Sequence, residues 1–335
     1  MRFATFHTIS LFCFAFPFFV VTAFACEKAE FSVAEPELDT SLPDTVAIYV
    51  RPADDPRVEP VDLGGVITFT PYAELEFKHQ SAAVYGDYAF FVADCRTAIR
   101  LFDMARKIKI YTLSMKGGNK SIFHCNQSSF GTEKYEPDDY FPLLYISQRP
   151  RSEQRCFTEV FRMIPLFNAD STAMLAFRAE LVQEIYFPSM TKDNSLGNTN
   201  CVMDPSGRWM YTYSRNNNVS DDNYGKCKIT RFAVPDIHLR EVILEDTDIE
   251  SSFMIDATAI NMQGGCIVND CLYIGQGYPG AKDLFLNVVN LREERLVKRY
   301  DLMANGVDWE PEGCFYYDGS VMLAHTGAIC RIKEE

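Results

Sequence analysis

Short apolar stretches alternate with polar residues along most of the chain and end at turn-forming residues. The clearest run covers residues 81–113, where the segments SAAVYGD, YAFFVAD, TAIRLFDM and KIKIYTL follow one another. Each segment has the length of a β-strand, and helical periodicity is scarce elsewhere. Pairs such as Gly86-Asp87, Asn269-Asp270 and Asp318-Gly319 supply turn signals between segments. The pattern therefore predicts an all-β protein.

The strand layout of residues 81–113 recurs in five stretches of the chain. A unit of four short strands cannot bury both of its faces alone, so it must stack on its neighbours. The repeat therefore predicts a β-propeller with five four-stranded blades. A sixth blade is the alternative, if residues 45–78 form more than one strand or if the second unit contains another blade. The five units cover residues 79–116, 117–189, 197–256, 262–303 and 306–334.

The fifth unit contains only three strand-like segments. An amphipathic segment before the first unit, residues 64–78 (GGVITFTPYAELEFK), offers a fourth. A strand from the other end of the chain would close the ring and remove the exposed edge of the incomplete blade, which could otherwise pair with other molecules. We therefore expect residues 64–78 to complete the last blade.

The N-terminus has the features of a secretory signal. Arg2 precedes an apolar run at residues 9–23, and Ala23-Phe24-Ala25 forms a small-x-small cleavage site before Cys26. This junction resembles the lipobox of bacterial lipoproteins, and that resemblance implies that Cys26 is the lipidated residue. The alternative is ordinary cleavage after Ala25, with an unmodified Cys26. The predicted organisation is a signal peptide at 1–25, a lipid-anchored acidic tether at 26–44 and the propeller domain at 45–335.

The formal net charge of −14 argues against a nucleic-acid partner, because an acidic surface is repelled by phosphate backbones. The chain has no GxSxG, GxxxxGK[ST], HExxH or CxxC motif. The cysteines lie mostly inside strand-like segments, which indicates small core residues. We expect a monomeric outer-membrane lipoprotein of the cell envelope, on its periplasmic or surface face, that contacts the membrane only through the lipid anchor.

Polar residues precede or begin the first strand of every unit. In a propeller these strands line the central channel and open at one end, where many blades converge on a concave site. Amides and carboxylates there match sugar hydroxyls, and a tryptophan offers a stacking face. The polar set consists of His79, Gln80, His124, Asn126, Asn198, Asn200, Asn261, Gln263, Asp308, Trp309, Glu310 and Glu312. The predicted ligand-binding residues are His79, His124, Asn126, Asn200, Gln263, Trp309, Glu310 and Glu312.

Several functions are compatible with this set. His79 and His124, with Glu310 or Glu312, have the donor types of a divalent-metal site. Asp308 and Glu310 would suit a glycosidase acid and base if about 5 to 9.5 Å separated them. A wet channel mouth with solvated polar side chains is the structural alternative. We expect a ligand-binding protein for carbohydrate or peptide, with a glycoside hydrolase or lyase of propeller fold, or a protein–protein scaffold, as the alternatives.

Several local motifs resemble one group of proteins. The motifs are a His-x-Asn run, a Phe-Gly pair, an acidic turn containing Tyr, and Phe-Pro-Leu-Leu-Tyr. The chain resembles uncharacterised β-propeller lipoproteins of gut Bacteroidetes over most of its mature length. The resemblance implies the fold and an envelope location, and it implies no defined reaction. The matching residues are His124, Asn126, Phe130-Gly131, Tyr135, Asp138-Asp139, 141–145, 204–211 and 310–313.

Overall fold

A computed structural model describes residues 66–115, 122–150, 155–188, 196–216, 220–258, 261–278 and 284–334, with only the backbone described at 95, 122–124, 149–150, 196–199 and 258. The predicted signal peptide and tether, including Cys26, lie outside these ranges. Within them no α-helix occurs, and no helix has the length and apolar character needed to cross a membrane.

The described strands form five small sheets, which confirms the predicted five-bladed β-propeller. Blade I contains β2 (Ser81–Tyr85), β3 (Tyr88–Val92), β4 (Ala98–Asp103) and β5 (Ile108–Ser114). Blade II contains β6 (Ile122–Phe130), β7 (Leu144–Pro150), β8 (Phe157–Phe167) and β9 (Met174–Tyr186). Blade III contains β10 (Leu196–Met203), β11 (Trp209–Asn216), β12 (Lys226–Ala233) and β14 (Ile249–Thr258). Blade IV contains β15 (Met262–Val268), β16 (Cys271–Gln276), β17 (Phe285–Asn290) and β18 (Arg295–Asp301). Blade V contains β19 (Gly313–Tyr317), β20 (Ser320–His325), β21 (Ala328–Glu334) and β1 (Ile67–Glu74).

Blade V is completed by the N-terminal strand, as the sequence predicts. Strand β1 pairs antiparallel with β21, in a register that runs from Ile67 opposite Glu334 to Glu74 opposite Ala328. The sheet order β1-β21-β20-β19 places this strand at the outer edge of the blade. The ring is therefore closed by main-chain hydrogen bonds between two distant parts of the chain.

One strand was not expected from the sequence. β13 (Glu241–Ile243) comes from the connection between β12 and β14 of blade III, yet it pairs parallel with β9 of blade II. Val242 lies opposite Ile185 in this pairing. Three residues are too short to show an alternating pattern, so only the tertiary context defines the strand. It covers the outer edge of blade II, which would otherwise be unpaired.

The hairpin turns follow from their residues. Asn269 and Asp270 have φ angles of 50° and 62°, and Asp318 and Gly319 have φ angles of 47° and 72°. Two successive positive φ angles define the type I′ turn, which matches the twist of the flanking strands and favours Asn, Asp and Gly. The predicted turns at these two pairs are confirmed.

The hydrophobic core consists of five clusters, one at each interface between neighbouring blades. Between blades I and II, for example, Phe90 packs edge-on against Phe141 and Phe177 with ring centroids 5.1 and 5.2 Å apart. Such apolar stacking is the main source of stability in a repeat architecture. The eight cysteines with described side chains are free thiols, and five of them are buried, in keeping with their predicted role as small core residues.

Candidate ligand site at the channel mouth

The five inner strands β2, β6, β10, β15 and β19 all begin at one end of the propeller, here called the channel mouth. Three of them have a register irregularity near this end, between His124 and Gln127, between Gly197 and Asn200, and between Met262 and Gly265. A β-bulge interrupts strand pairing and redirects a side chain. Equivalent bulges in blades II, III and IV thus place polar side chains where the blades converge.

Amides from two blades meet on a third. The Asn126 Nδ2 of blade II and the Asn200 Nδ2 of blade III both donate to the backbone carbonyl of Met262 in blade IV, each at 3.3 Å. These bonds fix which atom of each amide faces the carbonyl. The predicted residues Asn126 and Asn200 therefore lie side by side at the mouth.

Carboxyl groups from blade V continue the same arrangement. Gln263 Nε2 donates to Glu310 Oε1 at 2.5 Å, and Gln80 Nε2 of blade I donates to Glu312 Oε1 at 2.8 Å. Gln263 follows Met262 directly, so the two asparagine amides on the Met262 carbonyl lie next to the Gln263–Glu310 pair. We call the set of Gln80, Asn126, Asn200, Gln263, Glu310 and Glu312 the mouth ring. Side chains from all five blades contribute to it.

Glu312 is the most perturbed acid of the mouth ring. It is only 4% exposed, and burial raises the pKa of its carboxyl to about 9, with smaller contributions from Glu310 and Asp94. The Glu310 carboxyl lies within hydrogen-bonding reach of Glu312, and two carboxyl groups can share such a bond only when one of them holds a proton. Glu312 therefore holds a proton at neutral pH, and the mouth ring carries less negative charge than its composition indicates.

Two buried amide oxygens of the mouth ring accept no hydrogen bond. They are Asn126 Oδ1 and Gln263 Oε1, whose partner nitrogens are both engaged. A buried acceptor without a donor costs about 1 to 3 kcal/mol. The mouth ring is therefore rich in acceptors, and a molecule that donates hydrogen bonds would relieve this cost.

His79 and Trp309 lie beside the mouth ring and pack against other rings. His79 is 1% exposed and contacts the edge of Phe91 at 4.9 Å between centroids, and burial lowers its pKa to about 3. Trp309 is half-buried and stacks on His325 at 4.1 Å with an interplanar angle of 14°. One face of Trp309 is thus covered by His325. The side chain of His124 lies outside the described residues.

The hypothesis of a metal centre depends on histidine and carboxylate side chains that converge. In the described part of the chain, no group of three or more His, Cys, Asp or Glu side chains is arranged to hold a metal ion. The His79 ring packs edge-on against Phe77 and Phe91. The residues that the structure brings together are amides and carboxyls.

Beneath the mouth ring lie residues that the sequence did not single out. Gln127 Nε2 donates to the Gly265 carbonyl at 2.9 Å, and the Gly265 N–H donates to Gln127 Oε1 at 2.7 Å. The Tyr213 hydroxyl donates to the Gln263 carbonyl at 2.6 Å. The first two bonds join blades II and IV, and the third joins the adjacent blades III and IV, so together they give the mouth a floor. Gln127 follows Asn126 in one polar run, which is a usable sequence signal, whereas Tyr213 lies in an ordinary aromatic strand.

A second buried acid lies between blades I and II. Glu159 Oε2 is 2.8 Å from Arg96 Nε and accepts a hydrogen bond from Gln148 Nε2 at 2.5 Å. Burial raises the pKa of Glu159 to about 7, although the positive charge of Arg96 acts in the opposite direction. Arg96 has a φ of 52°, in the left-handed region that non-glycine residues rarely adopt. This ion pair holds the turn after β3 against blade II.

Comparisons with known proteins give a fold likeness only. No family model matches the chain, and no curated protein matches it. The structure is similar to a glutaminyl cyclase from Myxococcus xanthus, with 9% identity and a TM-score of 0.46 over 83% of this chain and 99% of that chain. It is also similar to a protein of unknown function from Bacteroides caccae, with 9% identity and a TM-score of 0.38 over 73% of this chain and 70% of that chain. At this level of similarity the function of neither neighbour transfers to this chain.

Proposed function

We propose that the protein binds a small ligand at the channel mouth, and that the ligand presents several hydrogen-bond donors. The observation that carries this proposal is the mouth ring, in which polar side chains from all five blades converge while Asn126 Oδ1 and Gln263 Oε1 lack donors. Hydroxyl groups of a carbohydrate or an amino group of a peptide have the matching chemistry.

The acidic pair supports the same class of ligand. Glu310 and Glu312 add acceptor oxygens next to the two unpaired amide oxygens, and the proton on Glu312 limits the repulsion between them. An anionic ligand would meet acceptors and negative charge. A neutral or cationic ligand that donates hydrogen bonds meets complementary groups.

The contact between Glu310 and Glu312 does not match the spacing of a glycosidase acid and base. Glycosidases hold their two carboxyl groups about 5 to 9.5 Å apart, so that a sugar or a water molecule fits between them. Glu310 and Glu312 instead lie within hydrogen-bonding reach of each other. Asp308, the other acid considered from the sequence, is exposed at the side of His325.

The test is a thermal-shift screen of neutral oligosaccharides and short peptides, followed by calorimetric titration of any compound that raises the melting temperature. We expect Asn200→Leu and Gln263→Leu to weaken binding at least tenfold, because each removes an amide from the mouth ring. Glu312→Gln, which removes a carboxyl oxygen from the mouth ring, should also weaken binding, and its matched control is Glu250→Gln, since Glu250 is exposed on the outer strand β14. A compound that binds wild type and all mouth-ring variants equally would contradict the proposal.

We also propose that Cys26 anchors the propeller to the outer membrane. The proposal is supported by the lipobox-like residues before Cys26 and by the acidic tether at 26–44. In cells that express the full chain, Cys26→Ser is expected to move the protein from the membrane fraction to the soluble fraction. Retention of the Cys26→Ser protein in the membrane fraction would count against lipid anchoring.

A further inference from the structure

A cleft of about 530 Å³ lies between blades III and IV, at the end of the propeller opposite the channel mouth. It is bordered by the turns that follow the inner strands β10 and β15 and by the turn between β17 and β18. Ile267 and Leu291 give it an apolar lining, and Trp209 and Tyr211 contribute aromatic surface. The cleft shares no residue with the mouth ring.

Two arginines in the cleft are held by an aromatic ring. The guanidinium carbon of Arg231 lies 4.6 Å from the centroid of Trp209, and that of Arg208 lies 5.4 Å from the same centroid. The Arg231 side chain also hydrogen bonds with the hydroxyl of Tyr211. Cation–π contact orients a guanidinium group without neutralising it. The positive charge of Arg208 and Arg231 therefore remains available to a ligand.

The acids of the cleft are engaged by other partners. Asp270 pairs with Arg292 at 2.5 Å, and Asp204 accepts a hydrogen bond from the Ser206 hydroxyl. Neither Arg208 nor Arg231 forms an ion pair with a described carboxylate within 4 Å. With three arginines and two aspartates, the lining carries one net positive charge in a protein whose formal charge is −14.

We propose that this cleft is a second binding site, for ligands that carry an oxyanion on a flat apolar ring. The guanidinium groups of Arg208 and Arg231 bind the oxyanion, since their planar fork matches the oxygens of a carboxylate or a phosphate. Ile267 and Leu291 receive the ring. The site differs in chemistry from the channel mouth, which favours ligands that donate hydrogen bonds.

The two tryptophans of the sequence make the sites separately observable. Trp209 lies in the cleft and Trp309 lies beside the mouth ring. In Trp309→Phe the only tryptophan fluorescence comes from Trp209, so a change in emission reports the cleft. Phenyl phosphate and benzoate are the probes, with benzyl alcohol as the neutral analogue of similar size.

We expect saturable changes of Trp209 emission with at least one aryl anion, and binding at least tenfold weaker for benzyl alcohol. Comparison of phenyl phosphate with benzoate identifies the preferred oxyanion. Arg208→Gln should weaken anion binding at least tenfold. Because Arg208 is exposed, this substitution should leave the fold intact. Arg106→Gln is the matched control. It removes an exposed positive charge from blade I, outside the cleft but at the same end of the propeller.

The proposal is overturned if neither anion gives a saturable signal, if benzyl alcohol binds as well as the anions, or if Arg208→Gln binds like Arg106→Gln. Circular dichroism of each variant establishes that the fold is retained. In Trp209→Phe, where only Trp309 emits, the aryl anions should leave the emission unchanged. A response there would assign the anion to the channel mouth and would also overturn the proposal.

Discussion

The side-chain amide of Gln127 pairs with both backbone groups of Gly265, at 2.9 Å and 2.7 Å. Gln127 belongs to blade II and Gly265 to blade IV, and blade III separates the two blades along the chain. The glutamine amide takes the place that a neighbouring strand would occupy in a sheet. The channel is therefore bridged at this level, and the mouth above it is a pocket with a floor.

Gln127→Ala is expected to lower the free energy of unfolding by about 2 to 4 kcal/mol, because it leaves the N–H and C=O of Gly265 buried without partners. Urea denaturation measures the loss. Gln183→Ala is the control, since Gln183 is equally buried and also donates to two backbone carbonyls, but those of Asp236 and Leu239 belong to an exposed turn that water can reach. Equal losses in the two variants would show that the bridge has no special role.

Glu312 should make stability depend on pH. Its pKa is about 9 in the folded protein and about 4.5 in an unfolded chain, so the unfolded state releases the proton first as the pH rises. The contribution is fully present below pH 4.5, is lost progressively as the pH rises from there to about 9, and falls no further above that pH. Glu312→Gln removes this loss, so its unfolding free energy should exceed that of wild type increasingly between pH 5 and 9. Parallel pH curves for the two proteins would exclude this assignment.

Arg96→Ala should be more damaging at pH 8 than at pH 5. At pH 8 the variant leaves Glu159 with either an unpaired buried charge or an unfavourable proton, a cost of about 3 to 5 kcal/mol. At pH 5 Glu159 is protonated, because its pKa is about 7 even beside Arg96. Thermal denaturation at the two pH values measures the difference. Arg106→Ala should cost less than about 1 kcal/mol at both, because the Arg106 guanidinium is exposed and the Arg106 backbone N–H still donates to Asp103.

Gly264→Ala should destabilise the contact between blades IV and V. An added Cβ would lie 2.7 Å from the Glu312 carbonyl oxygen and 2.9 Å from the Cys314 nitrogen, both backbone atoms that cannot move alone. We expect a loss of about 1 to 3 kcal/mol or more in urea denaturation. Gly319→Ala tests the alternative of backbone strain, since its added Cβ meets nothing within 4 Å and only its φ of 72° is unfavourable. A smaller loss for Gly264→Ala than for Gly319→Ala would contradict the close approach.

The sequence predicted the fold well because the fold depends on repeated local patterns. Residues 64–78 were assigned to the last blade because that unit lacked a strand, and β1 occupies this place. β13 was missed because its three residues acquire strand structure only from the edge of β9. The alternation of apolar and polar residues thus predicts where strands occur, but it does not predict strand pairing between blades.

The mouth ring was only partly predictable. Asn126, Asn200, Gln263, Glu310 and Glu312 were chosen because they precede or begin inner strands, and the structure brings them together, although their role in ligand binding stays a prediction. The bulges near the start of β6, β10 and β15 interrupt the alternation of side chains between the two faces. The sequence therefore does not tell which of two adjacent residues points into the channel. Trp309 lies in the connection before β19 and His325 is the last residue of β20, so their stacking depends on tertiary packing that no local pattern encodes.

The pairing of β1 with β21 has a kinetic consequence. The two strands lie near opposite ends of the described chain, so the propeller closes only after a very large loop has been ordered. Long-range pairing of this kind slows folding, because the entropic cost comes before the stabilising contacts. Once the ring is closed, every blade packs against a blade on each side, so no terminal blade remains from which unfolding could begin. Slow assembly is thus accompanied by slow opening, and the lifetime of the native state depends on one pair of strands.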